Sequence, residues 1–470
     1  MIARDVNLRA LASTGPVHFM GVGGAGMCAL AELLLRAGGR VSGCDRKTSV
    51  AVEDLRGLGV EVQVGHDPSH LDDASAVVVT SAVPPDHPEL LRAHERGLPV
   101  LKRAQALGAW VNEGRVLALA GTHGKTTTTA MATEMLVAAG MDPTGLVGGR
   151  VASWGGNLRY GASDLYVVEA DEYDRSFHTL SPDVAVVTNL EADHLDIYGD
   201  LEGVRTGFRT FLRGVRAGGC VVACADDRGA ASLLAGLDVP VVTYGLSPGT
   251  QVRAVDVDVG PASTTCRIME DGRDAGTLAL AIGGIHNLRN ALGAAAAARR
   301  LGATWDAIRS AMEAFRGVGR RFERLGEARG VRVVDDYAHH PTEIRATLEA
   351  ARATFPGARI VAAFQPHLYS RTRDFHAEFG QAMAAADVVW VTDVFPAREI
   401  PIPGVSGALV ARAAEAAGAR EVHYLERIEE LAPALARELR DGDVLLTLGA
   451  GSVERLGGDV LQRLGEAVHA

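Results

Sequence analysis

Seven consecutive residues, Gly121-Thr122-His123-Gly124-Lys125-Thr126-Thr127, have the types and spacing that phosphate chemistry requires. Two glycines free the backbone to turn so that successive N–H groups surround phosphate oxygens at a helix N-terminus. A lysine directly after the second glycine reaches β- and γ-phosphates, and the next threonine hydroxyl faces Mg²⁺. The strict pattern has another glycine five residues before Gly124, where this chain has Leu119, so the loop is a tighter variant. A glycine turn with an exposed lysine is the competing reading. Because an apolar run, Val116 to Ala120, precedes the loop and a helical apolar pattern, Ala130 to Val137, follows it, nucleotide binding fits better.

A second glycine cluster lies 100 residues earlier. Gly21, Gly23 and Gly26, with Gly24 between them, fit G-x-G-x-x-G between a strand and a helix, and Asp45 ends the next apolar run where a ribose-binding carboxylate falls in dinucleotide folds. Alone this suggests a nicotinamide enzyme. The same turn serves any diphosphate, however, and with the later loop it pairs a nucleotide-diphosphate ligand here with ATP there. Ser81 and Ala82, just beyond the strand-like Ala76 to Thr80, line that ligand or form a proline-stiffened turn.

Three further clusters follow apolar runs. Leu165 to Val168 leads into Glu169-Ala170-Asp171-Glu172, which is either an acidic loop or a strand-end magnesium site, since a hard cation on phosphates takes one or two carboxylates. Val184 to Val187 leads into Asp193-His194, where the histidine is structural or shares an edge with the two previous loops. Asn287 and Asn290 are spaced to share a helix face, for base recognition or, for Asn287, helix capping. Towards the C-terminus, Asp335-Asp336, His339-His340, His367 and Arg371 likewise follow strand-like runs.

The elements that must position these residues alternate between strand-length apolar runs and Ala/Leu/Arg-rich helical stretches from end to end. That pattern predicts an α/β chain on mostly parallel sheets, and 470 residues allow about three domains. With 58 acidic and 47 basic residues the formal charge is -11, which implies no broad basic face and no nucleic-acid partner. The first ten residues carry charges rather than a signal peptide's apolar core, and no run reaches membrane-spanning length, so a cytoplasmic protein without membrane insertion is expected. Cys28, Cys44, Cys220, Cys224 and Cys266 lack metal-ligand spacing and read as reduced, partly buried thiols.

Taken together these stretches resemble the Mur ligase family over nearly the whole chain. The resemblance is carried by residues 21–27 and 121–127, Glu169 to Glu172 with Asp174 and Ser176-Phe177, Asp193-His194, His286-Asn287 with Asn290, 319–323, 335–343, 364–367 and 393–399. It implies an α/β fold of three domains. These are an N-terminal Rossmann-like UDP-binding domain (1–112), a central P-loop-type ATPase domain (113–320) and a C-terminal Rossmann-like domain (321–470). It also implies ATP- and Mg²⁺-dependent ligation of L-alanine to UDP-N-acetylmuramate by a monomer or weak homodimer. A recycling ligase adding a preformed tripeptide, or a nicotinamide-dependent oxidoreductase, are the alternatives.

By the same resemblance Gly21, Gly23, Gly24, Gly26, Asp45, Ser81 and Ala82 bind the UDP-sugar. Gly121, Thr122, His123, Gly124, Lys125, Thr126 and Thr127 hold the ATP phosphates. Asn287 and Asn290 contact adenine, Arg321 the nucleotide phosphates and Asp336 the ribose side. Thr126 and Glu169 ligate Mg²⁺, and His194 holds a second Mg²⁺. His340, His367 and Arg371 lie near the alanine, and Lys125, His194, His340 and Arg371 act in catalysis. Tyr173, Leu368 and Ser452 stand where the family commonly has serine, arginine and aspartate. Leu368 removes one candidate contact to the amino acid and leaves Arg371 with more of that role.

Overall fold

The computed structural model describes residues 6–80, 82–260, 262–397 and 399–466. The apolar runs form strands buried along their whole length. Val17–Met20 (β1) is buried at all four positions, as are Ala76–Val79 and Val184–Val187, and continuous burial of this kind belongs to parallel strands covered on both faces. With Val41–Asp45 (β2), Glu61–Val64 (β3), Ala76–Val79 (β4) and Val100–Lys102 (β5), the first sheet has the order β3-β2-β1-β4-β5 and is parallel throughout. Strand order reverses at β1. The glycine turn at its carboxyl end therefore sits at the crevice where open α/β sheets take ligands.

A ten-stranded sheet is built around Arg115–Ala120 (β6). Its other strands are Thr144–Val151 (β7), Gly156–Arg159 (β8), Leu165–Glu169 (β9), Val184–Val187 (β10), Cys220–Cys224 (β11), Val241–Gly245 (β12), Val252–Val259 (β13), Thr264–Glu270 (β14) and Arg273–Leu280 (β15). The order is β15-β14-β13-β12-β11-β10-β6-β9-β7-β8, so β6 lies between β9 and β10, parallel to both. The loops after these three strands must emerge at the same edge. Those are the Gly121, Glu169 and His194 loops.

One hydrophobic cluster runs from Leu8 and Phe19 through Trp110 and Val116 to Val187 and Leu233, joining the first sheet to this one. The described residues through Val257, with Cys266–Ala279 and Arg289–Phe315, form one compact unit.

The second unit comprises Asp258–Thr265, Leu280–Leu288 and the described residues from Arg316 onward. Its six-stranded sheet contains Glu323–Ala328 (β16), Val331–Asp336 (β17), Ile360–Phe364 (β18), Val388–Thr392 (β19), Val422–Leu425 (β20) and Val444–Leu448 (β21), in the order β16-β17-β21-β18-β19-β20. β16 is antiparallel to β17 and the remaining pairs are parallel. Alternation along the strands sends Val334, Ala362, Phe364 and Leu446 into one core and Val333, Val361, Ala363 and Leu445 into another on the opposite face.

Candidate active site

In the first unit, β6 turns at Gly121 into the helix Lys125–Ala138, whose N-cap is Gly124. Both glycines are conformationally required. Gly121 has φ +143 and a Cβ there would overlap Thr188 Oγ1, while Gly124 has φ +83 and a Cβ would overlap Asn290 Oδ1. The loop is braced from the end of β10. Asn189 Oδ1 accepts from His123 N at 2.8 Å, Thr188 Oγ1 donates to His123 O at 2.7 Å, and Thr122 Oγ1 accepts from Glu191 N at 2.9 Å. Thr126 and Thr127, in the helix's first turn, are buried.

Lys125 Nζ donates to the carbonyls of Gly121 (2.6 Å) and Thr122 (3.1 Å) and to Glu172 Oε1 (3.0 Å). Burial works against the ammonium, but the Glu172, Asp171 and Glu169 carboxylates outweigh it and hold its pKa above the ordinary lysine value. The neighbouring carboxylates therefore favour the ammonium form of Lys125.

Glu169 closes β9, and its Oε1 accepts from Gly148 N at 2.9 Å. His194 caps the short helix Leu195–Tyr198 with φ +52, and its Nε2 lies 3.7 Å from Asp193 Oδ2 and 4.0 Å from Glu172 Oε1. Its Nδ1 is buried and makes no hydrogen bond among the described residues. The Thr126 hydroxyl and the strand-end Glu169 carboxylate are oxygen donors of the kind a hard cation on bound phosphates takes, and His194 Nδ1 stands apart as an open nitrogen for a second ion.

The structure places Asn290 against the phosphate loop, beside Gly124. Asn287, on the same helix Ile285–Arg300, belongs to the other unit, where its Nδ2 donates to Gly283 O at 2.8 Å. That bond satisfies a carbonyl and caps no helix N–H.

The first glycine loop follows β1, and Gly21 has φ +76. Asp45 Oδ2 accepts from Gly23 N at 2.9 Å, so this carboxylate holds the loop's shape. A Cβ on Gly23 would come within 3.0 Å of that oxygen, whereas one on Gly24, the N-cap of the helix Ala25–Arg36, would meet only ordinary contact with Gly21 O at 3.6 Å. Ala82 is exposed after β4, and Ser81 lies outside the described residues.

Two cations that sequence reasoning missed stand between the glycine loop and the acidic loop. Lys102 Nζ pairs with Asp174 Oδ2 at 2.6 Å, and Arg103 Nη2 lies 3.7 Å from Asp171 Oδ2. A Cβ on Gly26 would sit 3.1 Å from Arg103 Nη1. Their position after β5 in a parallel sheet was the available signal. Glu172, quoted in sequence only as part of an acidic run, proves to be the buried partner of Lys125.

In the second unit Asp336 ends β17. Its two oxygens accept from Phe322 N and Ala338 N, each at 2.8 Å, and burial pushes its carboxyl up to about 6 against the pull of Arg321. Arg321 stacks 5.2 Å from the Tyr337 ring and lies 3.6 Å from Glu343 Oε1.

His340 is buried at the N-cap of the helix Pro341–Thr354, accepting from Thr342 N through Nδ1 at 3.4 Å and meeting Phe375 edge-on at 5.3 Å. His339 turns its ring to within 6.1 Å of His367. His367 Nδ1 and Arg371 Nη1 are 3.2 Å apart, so these two form one polar site at the start of the helix Tyr369–Met383. Leu368 between them is buried with φ +71, a strained conformation for a branched side chain. Its backbone is fixed by N–H donation to Phe395 O at 3.0 Å and by Thr372 Oγ1 donating to its carbonyl at 2.8 Å.

Comparison with known proteins matches this geometry domain by domain. The Mur ligase family catalytic domain matches residues 16–115, the Mur ligase middle domain 119–298, and the Mur ligase glutamate ligase domain 320–451. A UDP-N-acetylmuramate–L-alanine ligase of Kineococcus radiotolerans is 48% identical over 462 residues, covering 97% of this chain and 98% of the relative. The crystal structure of a UDP-N-acetylmuramate-alanine ligase from Thermotoga maritima is similar with TM-score 0.82 and 30% identity, covering 96% of this chain and all of that one. A murein peptide ligase from Psychrobacter arcticus is similar with TM-score 0.75 and 25% identity over 96% and 99% of the two chains. The two glycine loops, the braced lysine and the strand-end carboxylate thus sit where matching domains run in the same order along nearly the whole sequence, and the chain belongs to the Mur ligase family.

Proposed function

We propose that this protein joins L-alanine to UDP-N-acetylmuramate at the expense of ATP, forming a peptidoglycan precursor. The observation that carries the reading is a loop whose two glycines admit no side chain and whose Lys125 Nζ is held on the Gly121 and Thr122 carbonyls and on Glu172. It is supported by the L-alanine ligases to which the chain is similar over almost its full length. Domains at 1–112, 113–320 and 321–470, a cytoplasmic location and a monomeric or weakly dimeric state belong to the same proposal.

The reaction begins when the sugar's carboxylate attacks the γ-phosphorus of ATP, releasing ADP and leaving an acyl phosphate. The alanine amine then adds to the acyl carbon, and collapse of the tetrahedral intermediate expels phosphate. Both steps bring negative charge together, so positioned cations and N–H donors supply much of the acceleration. The Gly121–Thr127 backbone cradles the phosphates, and Lys125 neutralises the charge that develops as the β–γ bond breaks. Thr126 and Glu169 would hold one Mg²⁺ and His194 a second, and these ions would screen the two anions from each other.

The first glycine loop presents the N-terminus of the helix Ala25–Arg36 to the UDP diphosphate. Asn290, seated on the phosphate loop, keeps Gly124 in place and reaches the nucleotide with Asn287. Arg321 takes nucleotide phosphates, Asp336 faces the ribose, and His340 and His367 lie beside the amino acid, whose carboxylate Arg371 pairs.

Phosphate release from ATP and Mg²⁺ tests this directly. Release is expected only when UDP-N-acetylmuramate and L-alanine are both present. Release with a tripeptide in place of alanine moves the assignment to the recycling reaction, and release with neither overturns ligation. Arg371→Ala is expected to raise the KM for alanine by about 100-fold, as loss of a two-pronged carboxylate contact predicts, while changing that for ATP little. Equal effects on both substrates would argue against the contact.

A further inference from the structure

Beneath the first glycine loop lies a cluster that the ligation chemistry does not use. One atom each from His18, Cys44, His70 and Glu89 lies within 4.8 Å of all the others, and His18, Cys44 and Glu89 are buried. The residues come from four segments: β1, β2, the turn Pro68–Leu71, and the first turn of the helix Pro88–Glu95. His18 Nε2 is 3.3 Å from Cys44 Sγ, Cys44 Sγ is 3.5 Å from both Glu89 oxygens, and His70 Nδ1 is 3.0 Å from Glu89 Oε1. Ligands at zinc's bond lengths of about 2.0–2.3 Å and tetrahedral angles stand roughly 3.3–3.8 Å apart; the His18–Cys44 and Cys44–Glu89 contacts fall in that range, the His70–Glu89 contact is shorter, and the other pairs lie within 4.8 Å.

We propose that His18, Cys44, His70 and Glu89 form a structural zinc site in the N-terminal sheet, separate from the nucleotide loops. Charge supports this identity. One thiolate, one carboxylate and two neutral imidazoles balance Zn²⁺, so the loaded site adds no net charge to a buried position. The donors are also the borderline set of sulfur, nitrogen and oxygen that zinc takes and that Mg²⁺ does not.

The surroundings are those of an oriented ligand set. His18 Nδ1 contacts Ser42 Oγ at 3.0 Å, which leaves Nε2 for the metal. Glu89 is further held by Asp67 N at 3.1 Å to Oε1 and by His66 Nδ1 at 3.0 Å to Oε2. Zinc binding displaces the Cys44 thiol proton to solvent as the S–Zn bond forms.

The site's position gives it a consequence for the ligand loop. The Cys44 carbonyl accepts from Gly21 N at 2.8 Å and from Val22 N at 3.1 Å, and the next residue, Asp45, holds Gly23 N. An ion tying β1 to β2 from below therefore stiffens the turn that faces the diphosphate.

The test uses the full-length protein without a polyhistidine tag, produced in zinc-supplemented medium and passed through gel filtration in excess Mg²⁺ so that nucleotide-site ligands are occupied. Elemental analysis is expected to find one zinc per chain in the wild type and a small fraction of that in Cys44→Ser and in His70→Gln, the latter at a partly exposed position. Titration against a chromophoric chelator should show zinc affinity falling by more than about 100-fold in each, beyond the loss typical of an outer-shell partner. Cobalt substitution should give a near-ultraviolet thiolate charge-transfer band in the wild type and none in Cys44→Ser. A zinc-free wild type with no such band, or equal zinc in wild type and both variants, overturns the proposal and leaves a hydrogen-bonded network around Glu89.

Discussion

Lys125→Ala is expected to lower turnover by about 10³-fold, the scale for removing a preorganised charge partner of a transition state. Sequence alone suggests a lysine whose loss leaves the fold untouched. The structure adds a second effect, because Glu172 is 3% exposed at its side chain and has Lys125 Nζ 2.9 Å from Oε2. Stranding that carboxylate costs about 3 kcal/mol, the low end for a broken buried pair, since Glu172 can take up a proton. Denaturant midpoints should therefore fall in Lys125→Ala and recover in Lys125→Ala/Glu172→Gln, while turnover stays low in both. Near wild-type turnover in either variant would remove Lys125 from the mechanism.

Gly121→Ala is the second large effect. At φ +143 an alanine pays about 1–3 kcal/mol of backbone strain, and its Cβ overlaps Thr188 Oγ1, so β10 or the loop must shift. A shift of about 1 Å in groups that position the phosphates is enough to cost roughly 100-fold in rate. Thr188→Ala should not rescue the variant, because the strain remains and Asn189 N stands 3.2 Å from the new Cβ. Recovery of both ATP affinity and rate in the double variant would show that the side-chain overlap, and not the backbone, sets the requirement for glycine.

How far the sequence carried depends on how local each feature is. Gly21 to Gly26 and Gly121 to Thr127 were legible because strand, turn and helix are contiguous and their chemistry needs glycine at fixed offsets. The α/β class was legible from alternating runs, and the Mur ligase family from many clusters in one order. Glu172 was visible as an acid but not as the partner of Lys125, since that pairing depends on β9 lying beside β6. Thr188 and Asn189 act through backbone bonds to a loop reached only because β10 is the other neighbour of β6. Cysteine spacing said nothing of the histidines around Cys44. Its neighbours there are 26, 26 and 45 residues away along the chain, and only the order of the parallel sheet gathers them.

The placement of β6 between β9 and β10 also sets the order in which this protein can acquire a nucleotide site during synthesis. Both neighbours of β6 are made after it, and the groups that brace Gly121 to His123 lie at 188–191. Until the ribosome has released those residues, the glycine loop has no Thr188 or Asn189 to hold its shape. Closing so long a loop must precede any gain from the contacts it creates. A polypeptide interrupted before Thr188 therefore carries the phosphate-loop sequence without the groups that brace it.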